Sequence, residues 1–262
     1  MNKEIINNIE LYNADCIELM NTLNDNSIDL TVTSPPYDNL RMYNGYSFDF
    51  ENTAKELFRI TKNGGVVVWI VNDQTINGSE SGTSFKQALY FKEIGFNLHD
   101  TMIYAKKNYV PLTHKRYEQE FEYMFVFTKF KLKTFNPIMV NCKTIGAKTN
   151  KRTFYQTASQ NIPTPAHSNN LVKEKKQKGN IWQYSTNCEI KGHPAQFNIQ
   201  LVKDHIISWS NENDIVFDCF LGSGTTAIAS MELNRKFIGC EISKDYFDIA
   251  VKRIKDNNNL FT

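Results

Sequence analysis

The chain has 262 residues, 41% of them hydrophobic, and a formal net charge of +2, enough length to bury a substantial core without disulfide or metal support. Five cysteines (Cys16, Cys142, Cys188, Cys219 and Cys240) are scattered, odd in number and never in a Cys-x-x-Cys pair, which argues against a disulfide framework or zinc site and for reduced thiols. The longest clear apolar run, residues 66–71, is far shorter than a membrane span, and residues 1–8 lack the apolar core and cleavage site of a secretory signal, so a cytoplasmic protein without a metal is expected.

In chain order, the spacing predicts a half-buried strand at 9–12, a helix at about 15–23 and a buried strand at 28–33 that stops at Pro35-Pro36. A helix is predicted over 48–61, ended by Asn63-Gly64-Gly65, then a core strand at 66–71. A helix at 84–94 should end at Gly95, and strands follow at 97–104 and 120–128. Beyond Lys131 the periodicity is lost until Ile181. A helix at about 195–209 then leads into a β-α-β-α series at 214–219, 225–233, 236–240 and 244–255. Strands alternating with helices imply an α/β fold, a mostly parallel sheet with helices on both faces. Charge is uneven along the chain: residues 131–191 hold eleven Lys and Arg against two acids. A basic segment on an otherwise acidic body suits a polyanion-binding insertion, and it equally suits a solvated loop.

Two motifs carry the chemistry. The first is Asp218-Cys219-Phe220-Leu221-Gly222-Ser223-Gly224-Thr225-Thr226, a strand, a tight loop and a helix start. Glycines let a ligand approach the backbone, and the first turn of a helix offers free N–H donors. Glu241 follows the next strand, 23 residues after Asp218, where an acid can grip ribose hydroxyls. This arrangement also fits a nicotinamide dinucleotide fingerprint. Polar Ser223, Thr225 and Thr226 favour instead a small zwitterionic ligand, as do the roughly forty residues that follow the loop in this chain. Alone, the motif specifies an adenosine-type cofactor.

The second motif is Ser34-Pro35-Pro36-Tyr37, placed where a predicted strand ends. An amino group on a nucleobase is a poor nucleophile because its lone pair is delocalised into the ring. Acceptors that bind its hydrogens, such as Ser34 Oγ and the Pro35 carbonyl, return that lone pair to the nitrogen. Prolines fix φ and donate no N–H, so the loop is a rigid row of carbonyls. Tyr37 offers a flat face for an extruded base. Without the glycine loop, the same residues would read as a stiff turn.

With both motifs in one chain, the sequence resembles the amino-methyltransferases of restriction–modification type. The catalytic motif precedes the cofactor motif, which resembles the β-class circular permutation. The resemblance implies a Rossmann-like, S-adenosylmethionine-dependent methyltransferase fold. Residues 1–130 would form its catalytic half, 131–180 a basic target-recognition insertion, and 181–262 the cofactor-binding half of the same domain. Cofactor contacts are implied for Asp15 and Cys16, within Tyr12-Asn13-Ala14-Asp15-Cys16, with the Asp at the adenine. Asp218, Phe220, Gly222, Ser223, Gly224 and Thr225 would follow in the glycine loop, with Glu241 and Ile242 at the ribose. His193 and Phe197, within His193-Pro194-Ala195-Gln196-Phe197, and the segment Gly179-Asn180-Ile181-Trp182 would close the methionine end. Asn198 departs from the Pro usual in the family.

The resemblance implies catalytic roles for Ser34, Pro35, Pro36 and Tyr37, and direct methyl transfer to a flipped base without a covalent enzyme–base intermediate. No Pro-Cys nucleophile motif is present. DNA contacts are expected from Lys148, Lys151, Arg152, Lys173, Lys175, Lys176 and Lys178. Ser as the first motif residue leans toward N4 of cytosine, with N6 of adenine as the alternative. An RNA methyltransferase or a non-catalytic DNA-binding subunit stands behind both. Implied partners are double-stranded DNA and no membrane, with room for a cognate restriction endonuclease and for a homodimer.

Overall fold

The computed structural model describes residues 1–36, 48–108, 115–146, 173–185 and 198–258. They divide into two compact units, one of Met1–Asn136 with Asn180–Thr262, the other of Pro137–Gly179.

The larger unit opens with an element the sequence pattern did not announce. Strand β1 (Asn2–Ile6) pairs antiparallel with β2 (Ile9–Asn13), through a tight turn in which Asn7 takes φ +54°, a conformation asparagine tolerates better than most residues. Helix α1 (Cys16–Met20) is short, and β3 (Ile28–Thr33) follows. Helix α2 (Phe50–Ile60) starts at Asp49, whose carboxylate accepts from Asn52 N at 3.2 Å, and buries Ala54, Leu57 and Ile60 on one face. Strand β4 runs over Thr61–Val71, five residues earlier than expected. Gly64 does not end α2. It sits inside β4 at φ +84°, where a Cβ would meet Lys133 Cβ at 2.8 Å, and it lies where the pairing with β3 jumps from Ile28↔Thr61 to Leu30↔Val66.

A two-rung hairpin, β5 (Thr75–Ile76) with β6 (Ser79–Glu80), precedes α3 (Thr83–Glu93). Strands β7 (Phe96–Lys106) and β8 (Phe121–Lys129) form an antiparallel pair. Buried Lys129 donates to the carbonyls of Phe58 at 2.6 Å and Thr61 at 2.9 Å, closing the end of α2. The smaller unit holds β9 (Met139–Asn141) and β10 (Lys175–Gln177), an antiparallel ribbon where the sequence showed no periodicity. The larger unit resumes with β11 (Ile181–Tyr184), α4 (Ile199–Trp209), β12 (Ile215–Asp218), α5 (Thr225–Glu232), β13 (Lys236–Glu241) and α6 (Lys244–Asn258).

Nine strands form one sheet in the order β1-β2-β13-β12-β3-β4-β8-β7-β11. The central run β2-β13-β12-β3-β4 is parallel throughout, and β8 enters antiparallel beside β4. In β4, residues 66–71 are all at most 2% exposed, so both faces of the sheet are covered, which is why the run is continuously apolar rather than alternating. One face packs α1, α2 and α3 around Trp69, Phe91, Phe127 and Phe217. The other receives α4, α5 and α6, with Leu201, Val202, His205 and Ile206 of α4 buried at helical spacing. The fold is the permuted Rossmann-like arrangement, the β3 half coming first in the chain. Among the described residues no helix is long and apolar enough to cross a membrane.

Candidate active site

From β12 the chain winds through α5 to β13 on one side, and from β3 through α2 to β4 on the other. Adjacent strands whose connections leave in opposite directions open a crevice at their carboxyl ends. Thr33 ends β3 and Asp218 ends β12. Across the junction Thr33 Oγ1 donates to Asp218 Oδ1 at 2.7 Å, and Thr226 Oγ1, in the first turn of α5, donates to Oδ2 at 2.7 Å. The Phe220 N–H adds a third bond to Oδ1 at 3.0 Å. Asp218 is 1% exposed, and burial pushes its carboxyl up to about 6 despite those donors. Its carboxylate is thus engaged inside the protein, tying the strand that feeds Ser34 to the loop of glycines. Sequence reading gave Thr33 no role and gave Thr226 to the ligand, whereas both hydroxyls bond Asp218.

Ser34, Pro35 and Pro36 leave the end of β3, with Pro35 buried. Tyr37 lies outside the described residues. The glycine loop turns with Gly222 at φ +53° and Gly224 at φ +83°. Gly222 N donates to Glu241 Oε2 and Ser243 N to Oε1, both at 2.9 Å. Burial raises the Glu241 carboxyl above the ordinary range. Gly224 has a packing reason as well: a Cβ there would meet Ala250 Cβ of α6 at 3.1 Å. Arg253 of α6 donates to the Ser223 carbonyl, and Ser223 and Thr225 are buried. Phe220 is half-buried, edge-to-face on Phe48 at 5.1 Å.

Asp15 is the N-cap of α1, its Oδ1 accepting from Ile17 N at 2.8 Å and Glu18 N at 3.2 Å. The neighbouring strand end is tied to it: Asn13 Nδ2 donates to the Glu241 carbonyl at 2.8 Å across 228 positions of sequence, and Ala14 N adds a bond to the same oxygen at 3.2 Å. Asp15, Glu241, exposed Ile242 and the glycine loop therefore share the carboxyl edge of β2-β13-β12. Cys16 turns elsewhere. Its thiol packs in the core 3.6 Å from Thr53 Oγ1, and burial pushes it up to about 11.

His193 and Phe197 lie outside the described residues, as do Lys148, Lys151 and Arg152. The departure at Asn198 has a local reason. Its side chain caps α4, accepting from Gln200 N at 2.9 Å and Leu201 N at 3.3 Å, while Nδ2 donates to the Ser185 carbonyl at 2.9 Å; proline could do none of this. In the smaller unit Lys173, Lys175 and Lys176 are exposed and Lys178 half-buried.

A family model described as DNA methylase (N6_N4_Mtase) matches residues 28–252. The orphan methyltransferase M.BamHII of Bacillus amyloliquefaciens is 54% identical over 244 residues, spanning 89% of this chain and 91% of that protein. The type II methyltransferase M.BglII of Bacillus subtilis is 28% identical over 272 residues, spanning 96% of this chain and 71% of its own length. Among solved structures, the M1.HpyAVI–SAM complex is 25% identical and aligns with a TM-score of 0.59 over 94% of this chain and 99% of that one. The PvuII DNA methyltransferase (cytosine-N4-specific) aligns with a TM-score of 0.68 at 20% identity, over 96% of this chain and 91% of that one, a likeness of fold.

Proposed function

The chain belongs to the N6/N4 DNA methylase family of restriction–modification type, and from that premise we propose that it methylates the N4 amino group of cytosine in duplex DNA at a specific sequence, in the cytoplasm. One observation carries the site: the Thr33–Asp218 bond joins the strand feeding Ser34 to the glycine loop at the switch of the sheet.

S-adenosylmethionine is the cofactor, and when bound it supplies a methyl group activated on a positively charged sulfur. The residues present fit such a ligand. Each Glu241 oxygen takes one backbone donor and keeps capacity for a ribose hydroxyl. Asp15 uses only Oδ1 at its helix cap, and Ile242 adds exposed apolar surface beside Glu241. Ser34 Oγ and the Pro35 carbonyl then accept from the target amino group, and Tyr37 stacks on the flipped base. Rate comes from alignment and aimed acceptors. A covalent enzyme–base route finds no support in the core thiols: burial raises Cys16, Cys219 and Cys240 alike, so none is a ready thiolate.

Residues 131–180 are assigned to target recognition, which the separate compactness of Pro137–Gly179 supports. Ser at the head of the motif favours cytosine over adenine. Digestion of modified duplex DNA should release N4-methylcytosine; N6-methyladenine would overturn the choice of base and keep the rest.

Two further results are expected. Gly222→Val puts a branched side chain where the loop meets the cofactor, and its bulk should obstruct the ligand; the strain at φ +53° is carried with and without ligand and bears on stability instead. Calorimetry should show S-adenosylmethionine affinity reduced about tenfold or more, 1.4 kcal/mol being a factor of ten. Wild-type affinity would remove the loop from the pocket. Separately, replacing Lys173, Lys175, Lys176 and Lys178 by alanine should flatten log affinity for DNA against log salt by up to about 0.9 per lost phosphate contact. An unchanged slope would make the run a solvated one.

A further inference from the structure

The β9–β10 ribbon has two unlike faces. Its register pairs Lys175 with Asn141, Lys176 with Val140 and Gln177 with Met139. Two more bonds lengthen it, Cys142 N to the Glu174 carbonyl at 2.7 Å and Lys178 N to the Ile138 carbonyl at 2.8 Å. Side chains alternate along a strand, and residues directly opposite in an antiparallel pair share a face. Ile138, Val140 and Cys142, all half-buried, therefore lie on one side with Glu174, Lys176 and Lys178. Met139, Asn141, Lys175 and Gln177 lie on the other, and all four are exposed.

Attraction to a polyanion requires only the lysines. The exposed face adds something lysines do not need: two amides, the side chains that bond adenine N6 and N7 together. Lysine pairs with guanine O6 and N7, and an apolar side chain such as Met139 suits a thymine methyl. A two-stranded ribbon is also narrow enough for the major groove of B-form DNA, which admits either an α-helix or such a ribbon. The run from Lys173 to Lys178 carries four lysines against the single Glu174, complementary to the phosphates bordering that groove.

We propose that the exposed face of this ribbon reads base edges in the major groove of duplex DNA, with Asn141, Lys175 and Gln177 determining which sequence is methylated. The inference rests on the DNA methylase reading and adds to it the residues and the groove.

The test is methylation of a duplex library with randomised sequence, mapped by sequencing, for the wild type and for Asn141→Ala, Gln177→Ala and Lys176→Ala. Asn141→Ala and Gln177→Ala should each relax discrimination at a base pair of the site by about tenfold or more, with the salt dependence of binding unchanged. Lys176→Ala, on the opposite face, should keep the wild-type sequence preference. All three positions are exposed, and unchanged thermal unfolding establishes that each variant is folded. Active variants of Asn141 and Gln177 with wild-type sequence preference would overturn the assignment of the ribbon while leaving the methylase reading intact. A wild-type chain that methylates none of the library would overturn the methylase reading, and the ribbon assignment with it.

Discussion

Ser34→Ala should lower single-turnover methyl transfer by about 10² or more, the scale of losing one aimed polar contact in a transition state, while S-adenosylmethionine and DNA bind nearly as before. The lone pair of the target amino group becomes available only as an acceptor draws on its hydrogens. That demand grows as the N–C bond forms, so the loss falls on the chemical step rather than on binding. Ser34 sits directly after Thr33, whose hydroxyl is fixed on Asp218 at 2.7 Å, so its backbone starts from a defined point. Tyr37→Ala should behave differently. Stacking contributes on the order of 1–3 kcal/mol to holding a base, so this variant should weaken productive DNA binding as well as slow the reaction. Single-turnover rates at saturating DNA, beside equilibrium binding of each variant, separate the two. A Ser34→Ala enzyme that methylates at the wild-type rate would remove the loop from catalysis.

Asp218→Ala should destabilise the fold by about 2–5 kcal/mol, because Thr33, Thr226 and the Phe220 N–H all lose a buried acceptor, at about 1–3 kcal/mol for each donor left unpaired, less the relief of unburying one charge. In a domain whose whole stability is about 5–15 kcal/mol, that shift should be plain in the urea midpoint. A midpoint equal to the wild type would mean the junction relaxes at no cost.

Asp218 also has a pH signature, read best against Asp218→Asn, which cannot titrate. Burial raises the folded carboxyl from the usual 3.8 to about 6. Between those values the folded protein keeps a proton that the unfolded chain has released, so rising pH favours the unfolded state through this group. Its contribution is therefore fully present below about pH 4 and declines as pH rises to about 6, opposite to a carboxylate whose value is depressed by an ion pair. Wild-type stability relative to Asp218→Asn should fall across that window, and a flat difference would count against a buried, elevated carboxyl.

Much of the fold was legible from local pattern. The strand over Ile28–Thr33 alternates Ile28, Leu30 and Val32 with Asp29, Thr31 and Thr33 and is stopped by prolines, and α2 shows its buried stripe at a spacing of three residues. Signals of that kind are carried by neighbours in the chain and need no tertiary knowledge. Elements held by distant partners were harder to see. Strand β1 is a polar edge strand defined by its pairing with β2. The β9–β10 ribbon joins segments more than thirty positions apart, so no periodicity within either one announces it. Gly64 looked like a helix stop because glycine, which takes positive φ freely, suits that role in sequence as well as the irregularity it forms inside β4 at φ +84°.

The site divides the same way. By itself the sequence determined the chemical types present: a proline-stiffened loop headed by Ser34, a glycine turn, and an acid, Glu241, one strand later. It did so because turn chemistry and close backbone approach demand particular residues at fixed short offsets. Only the tertiary structure decided which side chains are turned inward. Asp218 became a buried strut and Cys16 a core thiol, while Asp15 came to share a sheet edge with Glu241. Strand order brings Thr33 to Asp218 across 185 positions and Asn13 to Glu241 across 228. The hydrogen bonds and desolvation that fix a carboxylate's state act over a few ångströms of space, whatever the separation along the chain.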